Sequence, residues 1–336
     1  MNDRVLVVGP SWVGDMVMAQ SLFMRLQQLR PDCEIDVLAP GWSLPLIARM
    51  REVRAGIEMP LGHGAFGFSV RRTLGHSLRE KNYTQAIVLP GSWKSALVPF
   101  FARIPRRTGY RGEMRYGLLN DIRALDKNLL KTTVQRFVAL AEEGSVSVVP
   151  AVPEPRFAVK GSIAVAAASV QGHGTALVGL LPGAEYGPAK QWPAAHYGEL
   201  AKLLARQNVT CLVFGSKKEQ ALGEEIRVAS GNTAVNLCGQ TTLTELVDAL
   251  AQCKAVVTND SGPMHVAAAA GVPLVAIYGS STPDFTPPLT ARSRIHYLRL
   301  ACSPCFERTC PLGHYNCLRQ IGAAAVRQSL HELAGV

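Results

Sequence analysis

A chain of 336 residues is long enough for two domains of ordinary size, each with its own core. Hydrophobic residues at 48% and charged residues at 18% exclude a disordered chain. With 35 basic against 25 acidic residues the net charge is +10, a field that draws an anionic partner: nucleic acid, acidic lipid head groups or a phosphorylated glycan.

The first residues have only a short apolar stretch before Gly9-Pro10, so they read as a first strand, Val5 to Val8, and as no signal peptide. The strand ends in Gly9-Pro10-Ser11-Trp12-Val13-Gly14-Asp15, with a helix from Met16 onward. Its glycine spacing is neither a P-loop nor the full dinucleotide fingerprint, which disfavours NAD. Asp15, at the start of a helix, has two open roles. It is either a carboxylate stabilised by the helix dipole, or a general base able to take a proton from an attacking hydroxyl.

Further strands are expected at Ile35 to Leu38 and Ala86 to Leu89. The basic excess sits largely in this half, with Arg71, Arg72, Arg79, Lys81, Lys94, Arg103, Arg106, Arg107, Arg111, Arg115 and Arg123 close together. No zinc finger, recognition helix or aromatic RNA motif accompanies them, so nucleic acid is not the expected partner. Residues 148 to 159, VVPAVPEPRFAV, carry three prolines and read as a hinge.

Beyond it, strands at Ala176 to Leu181, Thr210 to Phe214, Ala255 to Val257 and Leu274 to Tyr278 again alternate with helical patterns, and Gly322 to Leu333 has the spacing of a closing helix. The alternation predicts an α/β chain of two doubly wound domains, divided as 1–155 and 156–336. Facing one another, they would share a cleft beyond the carboxyl ends of their strands.

The second half holds three candidate ligand loops. The first is Leu181 to Pro193, rich in Gly and Pro, which brings the single cation Lys190 toward an anion just before a helix. A weaker one, Phe214-Gly215-Ser216-Lys217-Lys218, offers Gly215 and Ser216 to base, ribose or phosphate. The third is Asn259-Asp260-Ser261-Gly262-Pro263, which opens a short helix carrying His265, with Ser261 or Asp260 as cap, Pro263 in the first turn, and Gly271 with Pro273 as the stop. A helix so opened aims free N–H groups and its positive end at an anion, and the acid and histidine beside it suit a sugar carried on a diphosphate. No Asp-x-Asp triplet is present to hold a bridging ion, so the expected chemistry uses no metal and no cofactor. Cys33, Cys211, Cys238 and Cys253 read as buried thiols, and Cys302, Cys305, Cys310 and Cys317 as structural free thiols, although a zinc site there is conceivable. The longest apolar run, Val266 to Tyr278, is too short to span a bilayer, and the expected location is the cytoplasm.

In combination, GPSWVGDMVMAQSL, MPLGHGAF, RRTLGHSLREKNY, LPGSWKSALVPFFARIPRRTGYRGEMRYGLLND, LPGAEYGPAKQWP, VTNDSGPMHVAAAA and YGSSTPDFTPPL resemble the ADP-heptose:lipopolysaccharide heptosyltransferases, type II more closely than type I. The resemblance runs from the first strand to about residue 289 and leaves the cysteine-rich tail out. It implies two facing Rossmann-like domains of GT-B type, an N-terminal one for the acceptor and a C-terminal one for the nucleotide sugar. It implies an ADP-heptose donor, inversion at the anomeric carbon, and an acceptor in the heptosyl-Kdo2-lipid A inner core of lipopolysaccharide, met by a cytoplasmic enzyme peripheral to the inner membrane. By position it puts the base at Asp15, donor contacts at Lys190, Asp260, Gly262 and His265, and an acceptor contact at Lys94. With Lys94, Arg106, Arg107 and Arg111 of the basic half are the expected acceptor contacts. The rival readings are another core heptosyltransferase, such as type I, and a non-catalytic nucleotide-sugar sensor.

Overall fold

The computed structural model describes residues 3–62, 64–161 and 176–336; His63, in the MPLGHGAF stretch, lies outside them. The chain divides into two compact units, Met1–Pro155 and Arg156–Val336.

The first unit is built on six parallel strands: β1 (Arg4–Val8), β2 (Glu34–Pro40), β3 (Val53–Met59), β4 (Gln85–Val88), β5 (Arg106–Tyr110) and β6 (Asp121–Arg123), in the order β3-β2-β1-β4-β5-β6. Helix α1 (Val13–Leu29) follows β1, α2 (Leu44–Ile47) follows β2, α3 (Phe68–Ser77) follows β3, α4 (Leu97–Phe101) follows β4, and α5 (Thr133–Val138) comes last. The central strands are short apolar runs buried on both faces, as a sheet covered by helices requires. Leu6, Val8, Leu38, Ala86 and Val88 share one core with Val98 and Ile104.

The second unit repeats the plan. Its strands are β7 (Ala176–Leu181), β8 (Val209–Val213), β9 (Ala234–Asn236), β10 (Ala255–Asn259), β11 (Leu274–Ile277) and β12 (Ser293–His296), all parallel, in the order β12-β11-β10-β7-β8-β9. Helices α6 (Ala194–Ala205), α7 (Gln220–Ala229), α8 (Leu243–Leu250), α9 (Gly262–Ala269), α10 (Asn316–Arg319) and α11 (Ala323–Ala334) complete it. Val178, Leu180, Tyr197, Leu200, Val257, Val275 and Ile277 lie at its core, with Trp192 fully buried beside them.

Counting strands from the start of each unit, both sheets run 3-2-1-4-5-6, the doubly wound order. Each therefore has a switch point where the chain reverses direction across the sheet: between β1 and β4 in the first unit, and between β7 and β10 in the second. Loops leaving the carboxyl ends of those two strands flank a crevice, and it is there that such sheets take ligands. Asp15 and Lys94 follow β1 and β4; Lys190 and Asp260 follow β7 and β10.

Candidate active site

In the second unit the switch point is closed by a hydrogen-bonded ion pair, Lys190 Nζ to Asp260 Oδ2 at 2.6 Å. Lys190 ends a 3-10 turn, Pro188–Lys190, set by Gly187 at φ 149° and anchored by Ala189 N–H donating to Arg308 O. Its ammonium also lies 5.1 Å from the Tyr186 ring centre. Asn259, the last residue of β10, organises the same loop from the other side. Its amide NH2 donates to Pro182 O, while its Oδ1 accepts from Trp192 N–H and the Tyr197 hydroxyl.

Asp260 is buried and holds further partners that sequence reasoning missed. The Ser281 hydroxyl donates to Oδ2, and the Thr286 hydroxyl lies 3.5 Å from Oδ1. Both belong to the loop after β11, the GSSTPDFT stretch, whose Ser/Thr density was the available signal.

Helix α9 begins as expected, with Ser261 as its extended N-cap residue and Pro263 in the first turn, and Gly271 at φ 78° follows its end. The expected cap is corrected. Neither side chain caps the helix: the Asp260 carboxylate is taken by Lys190 and Ser281, and Ser261 Oγ is buried with no partner among the described residues. His265 is buried in the second turn, and burial lowers its pKa to about 4, against the pull of Asp260, so its ring is neutral at physiological pH. Its Nδ1 has no partner among the described residues, nor has Ser280 Oγ, next to Ser281. Buried polar atoms are nearly always satisfied, so three orphans beside one carboxylate mark a place made for a polar ligand.

Gly215 and Ser216 follow β8, next to the switch point. Ser216 caps the turn Lys217–Glu219 in a capping box with Glu219, whose carboxylate accepts from Ser216 N–H at 2.5 Å. A Cβ on Gly183 would fall 1.6 Å from Glu219 Oε1, so the Glu219 carboxylate in its present position rests directly against the loop after β7. Glu219 is a third residue that the sequence did not single out.

In the first unit, Asp15 sits in the opening turn of α1, whose N-cap residue, Trp12, offers no side-chain cap. Among the described residues no hydrogen-bond donor reaches the Asp15 carboxyl, and burial raises its pKa from 3.8 to about 6. The helix dipole alone would lower it; desolvation wins.

Lys94 lies in the turn after β4 and donates to Gly64 O at 2.7 Å. Arg111 is exposed just past the carboxyl end of β5. Arg106 and Arg107 open the same strand, at the far end of the sheet from Asp15, because β1, β4 and β5 are parallel and Arg106 is level with Gln85 and Val5. At about 3.3 Å per residue the strand separates them from the reacting end by more than ten ångströms. Arg106 is also held by Asp121 and by both carboxylate oxygens of Glu143. Arg107 donates to Leu118 O and Ile104 O. Much of the basic excess is similarly used inside the unit: Arg71 on Phe66 O, Arg115 on Pro90 O and Tyr110 O, Arg123 on Asp121 and Ala139 O. Arginine's fixed fork of donors suits it to binding loop carbonyls that a helix or strand leaves open.

Cys33, Cys211, Cys238 and Cys253 are buried free thiols; Cys302, Cys305, Cys310 and Cys317 are free and half-buried. Among the described residues no three His, Cys, Asp or Glu side chains are arranged to hold a metal ion.

The family model for glycosyltransferase family 9 (heptosyltransferase) matches residues 71–316. The chain is 48% identical to lipopolysaccharide heptosyltransferase 2 of Salmonella typhimurium, over 98% of each chain. It is 52% identical to lipopolysaccharide heptosyltransferase 2 of Escherichia coli over 87% of each. The solved structure of E. coli ADP-heptose LPS heptosyltransferase II superposes with a TM-score of 0.84 at 45% identity, covering 98% of both chains. Two parallel six-stranded sheets, a paired lysine and aspartate at one switch point and a half-buried carboxyl at the other thus stand in a chain that belongs to glycosyltransferase family 9, the heptosyltransferases.

Proposed function

We propose that this glycosyltransferase moves heptose from ADP-L-glycero-β-D-manno-heptose to the heptosyl-Kdo2-lipid A inner core of lipopolysaccharide, inverting the anomeric centre in one displacement. The observation that carries the reading is the group of orphaned polar atoms, Ser261 Oγ, His265 Nδ1 and Ser280 Oγ, around the Lys190–Asp260 pair.

The second unit binds the donor. Lys190 and the free N–H groups at the start of α9 meet the diphosphate and stabilise the charge that builds on it as the glycosidic bond breaks. No metal or cofactor is invoked. Asp260 and neutral His265 orient the sugar-diphosphate, and Gly215 and Ser216 contact the nucleoside. The first unit receives the acceptor, with Lys94 and Arg111 on its acidic groups. Asp15 takes the proton from the acceptor hydroxyl; with a pKa of about 6 it is largely ionised at neutral pH yet basic enough to accept a proton.

The protein works from the cytoplasm at the inner face of the inner membrane, where its lipid-linked acceptor is presented. Among the described residues no helix is long and apolar enough to cross a membrane. The test is a direct assay. Purified protein with ADP-heptose and defined core acceptors should release ADP and form one inverted heptosyl linkage on the heptosylated Kdo2 acceptor. Transfer to the unheptosylated acceptor alone would reassign it to the first step of the series, and binding without turnover would leave only a sensor.

A further inference from the structure

On the first unit five aromatic rings make a continuous ridge. Trp93 packs on Phe66 with ring centres 5.1 Å apart, Phe66 on Phe68 at 5.9 Å, Phe68 on Phe101 at 5.6 Å, and Phe101 on Phe100 at 5.5 Å. Four of the five, all but Phe101, are 39–45% exposed, an unusual concentration of large apolar side chains facing water. The ridge begins at Trp93, beside Lys94 and the switch point, and ends over the carboxyl ends of α3 and α4.

There it meets a cavity of about 630 Å³ lined by Arg72, Arg79, Arg103 and Arg107 with His76, and by no acidic residue. Among the described residues none of the four arginines has a carboxylate partner, although nearby Arg106 has two. Arg79 and Arg107 are fixed by backbone carbonyls, and Arg107 also stacks over Phe100 at 5.7 Å. Arg72 and Arg103 are exposed. His76 is held below its ordinary pKa, first by desolvation and then by the charges of Arg79, Arg72 and Arg103, which line the same cavity. Like charges gathered without a counter-charge repel, and an anion relieves that repulsion.

We propose that this face docks on a bilayer of acidic phospholipid, with headgroup phosphates in the arginine cavity and the aromatic ridge lying in the interfacial layer. Aromatic side chains prefer that layer, and arginines beside them hold anionic headgroups, so the two halves of the patch describe one surface. A free phosphate needs no aromatic ridge. The cavity stands at the opposite end of the sheet from Asp15, so its occupant is not the reacting sugar; the ridge links it to the loop after β4, where a lipid-borne acceptor arrives. The inference rests on the proposed transfer only for that acceptor.

The test is co-sedimentation with vesicles of phosphatidylcholine, alone or mixed with phosphatidylglycerol. Wild type should partition onto the mixed vesicles and not onto phosphatidylcholine. The variant Arg72→Gln/Arg103→Gln should lose about tenfold or more of that binding, and Phe68→Ser/Phe100→Ser a similar amount, both with unchanged thermal unfolding. Transfer to a detergent-dispersed acceptor should remain at the wild-type rate in both variants. Equal binding to both vesicles, full binding by the arginine variant, or abolition by millimolar inorganic phosphate would overturn docking. So would loss of transfer to dispersed acceptor in the arginine variant, which would assign the cavity to the acceptor itself. If wild type sediments with acidic vesicles yet transfers no heptose, the docking surface stands and the proposed reaction falls.

Discussion

Lys190 and Asp260 are 70 positions apart in the chain and 2.6 Å apart in space, because β7 and β10 are neighbours across the switch point of the second sheet. The pair pre-positions both groups: Lys190 lies at the mouth of α9 before any diphosphate arrives, and Asp260 is held by Ser281 as well as by Lys190. Lys190→Ala removes a cation and also strands a buried carboxylate. It should therefore cost about 3 kcal/mol or more of stability as well as nearly all transfer. Lys190→Ala/Asp260→Asn should recover most of the stability and none of the transfer. A cycle of thermal unfolding and kcat/KM separates the two effects, and recovery of transfer in the double variant would show that Lys190 serves only to neutralise Asp260.

Ser281→Ala should lower kcat with little change in donor affinity, because the hydroxyl acts through Asp260 and not on the donor. A fall of roughly tenfold fits the loss of one hydrogen bond to a charged group. Ser281→Thr should restore much of it. A purely structural hydroxyl would change unfolding and leave the kcat-to-KM balance alone.

Asp15 gives the pH dependence. Its folded pKa, about 6, is above its ordinary 3.8, so the folded protein binds the proton more tightly than the unfolded chain. Stability from this group is full below pH 4 and falls as pH rises through 6, by at most about 3 kcal/mol. Activity runs the other way, since only the carboxylate accepts a proton, so kcat/KM should rise along an acid limb centred near 6. Asp15→Asn should abolish most turnover, roughly a hundredfold or more, keep donor binding, and be more stable than wild type at pH 8 but not at pH 4. A variant that retained turnover would remove Asp15 from the chemistry.

The strongly apolar strands were legible because each is a short run of Val, Ile, Leu and Ala closed by Gly, Pro or a polar turn: β1, β2, β4, β7, β8, β10 and β11 all fall within two residues of expectation. The outer strands were not. β5 is Arg106-Arg107-Thr108-Gly109-Tyr110 and β12 is Ser293-Arg294-Ile295-His296; their pairing is set by neighbouring strands, and local pattern gives no sign of it. The expectation that Arg106 and Arg107 meet the acceptor was formed without β5, whose direction puts them at the amino end of the sheet. Lys190 and Asp260 stood out individually through loop and helix-start chemistry, whereas their contact depends on strand order, and the hydroxyls of Ser281 and Thr286 reach Asp260 only through a loop that no local rule positions.

Transfer should survive EDTA. The charge building on the departing diphosphate has a cation in Lys190 and backbone N–H groups at the start of α9, so no bridging ion is needed to carry it. Loss of activity on chelation, restored by magnesium or manganese, would assign that charge to a metal.

The terminal cysteines should separate by reactivity. Backbone N–H groups of Tyr315, Leu312, His314 and Gly313 converge on Cys310 and hold its thiol below the usual range, whereas burial raises Cys317, reinforced by the nearby thiols of Cys302, Cys310 and Cys305. A thiolate is the nucleophile, so Cys310 should be alkylated first by iodoacetamide at neutral pH and Cys317 last, as peptide mapping would show. Replacing all four with Ser should lower stability through lost burial and leave kcat for transfer within about twofold, because the stretch supports the Lys190 turn through the Arg308 carbonyl and not through a thiol. Uniform alkylation would contradict the N–H arrangement at Cys310. Stoichiometric zinc in tag-free protein, absent from the quadruple variant, would show that the four thiols close around an ion and are not free.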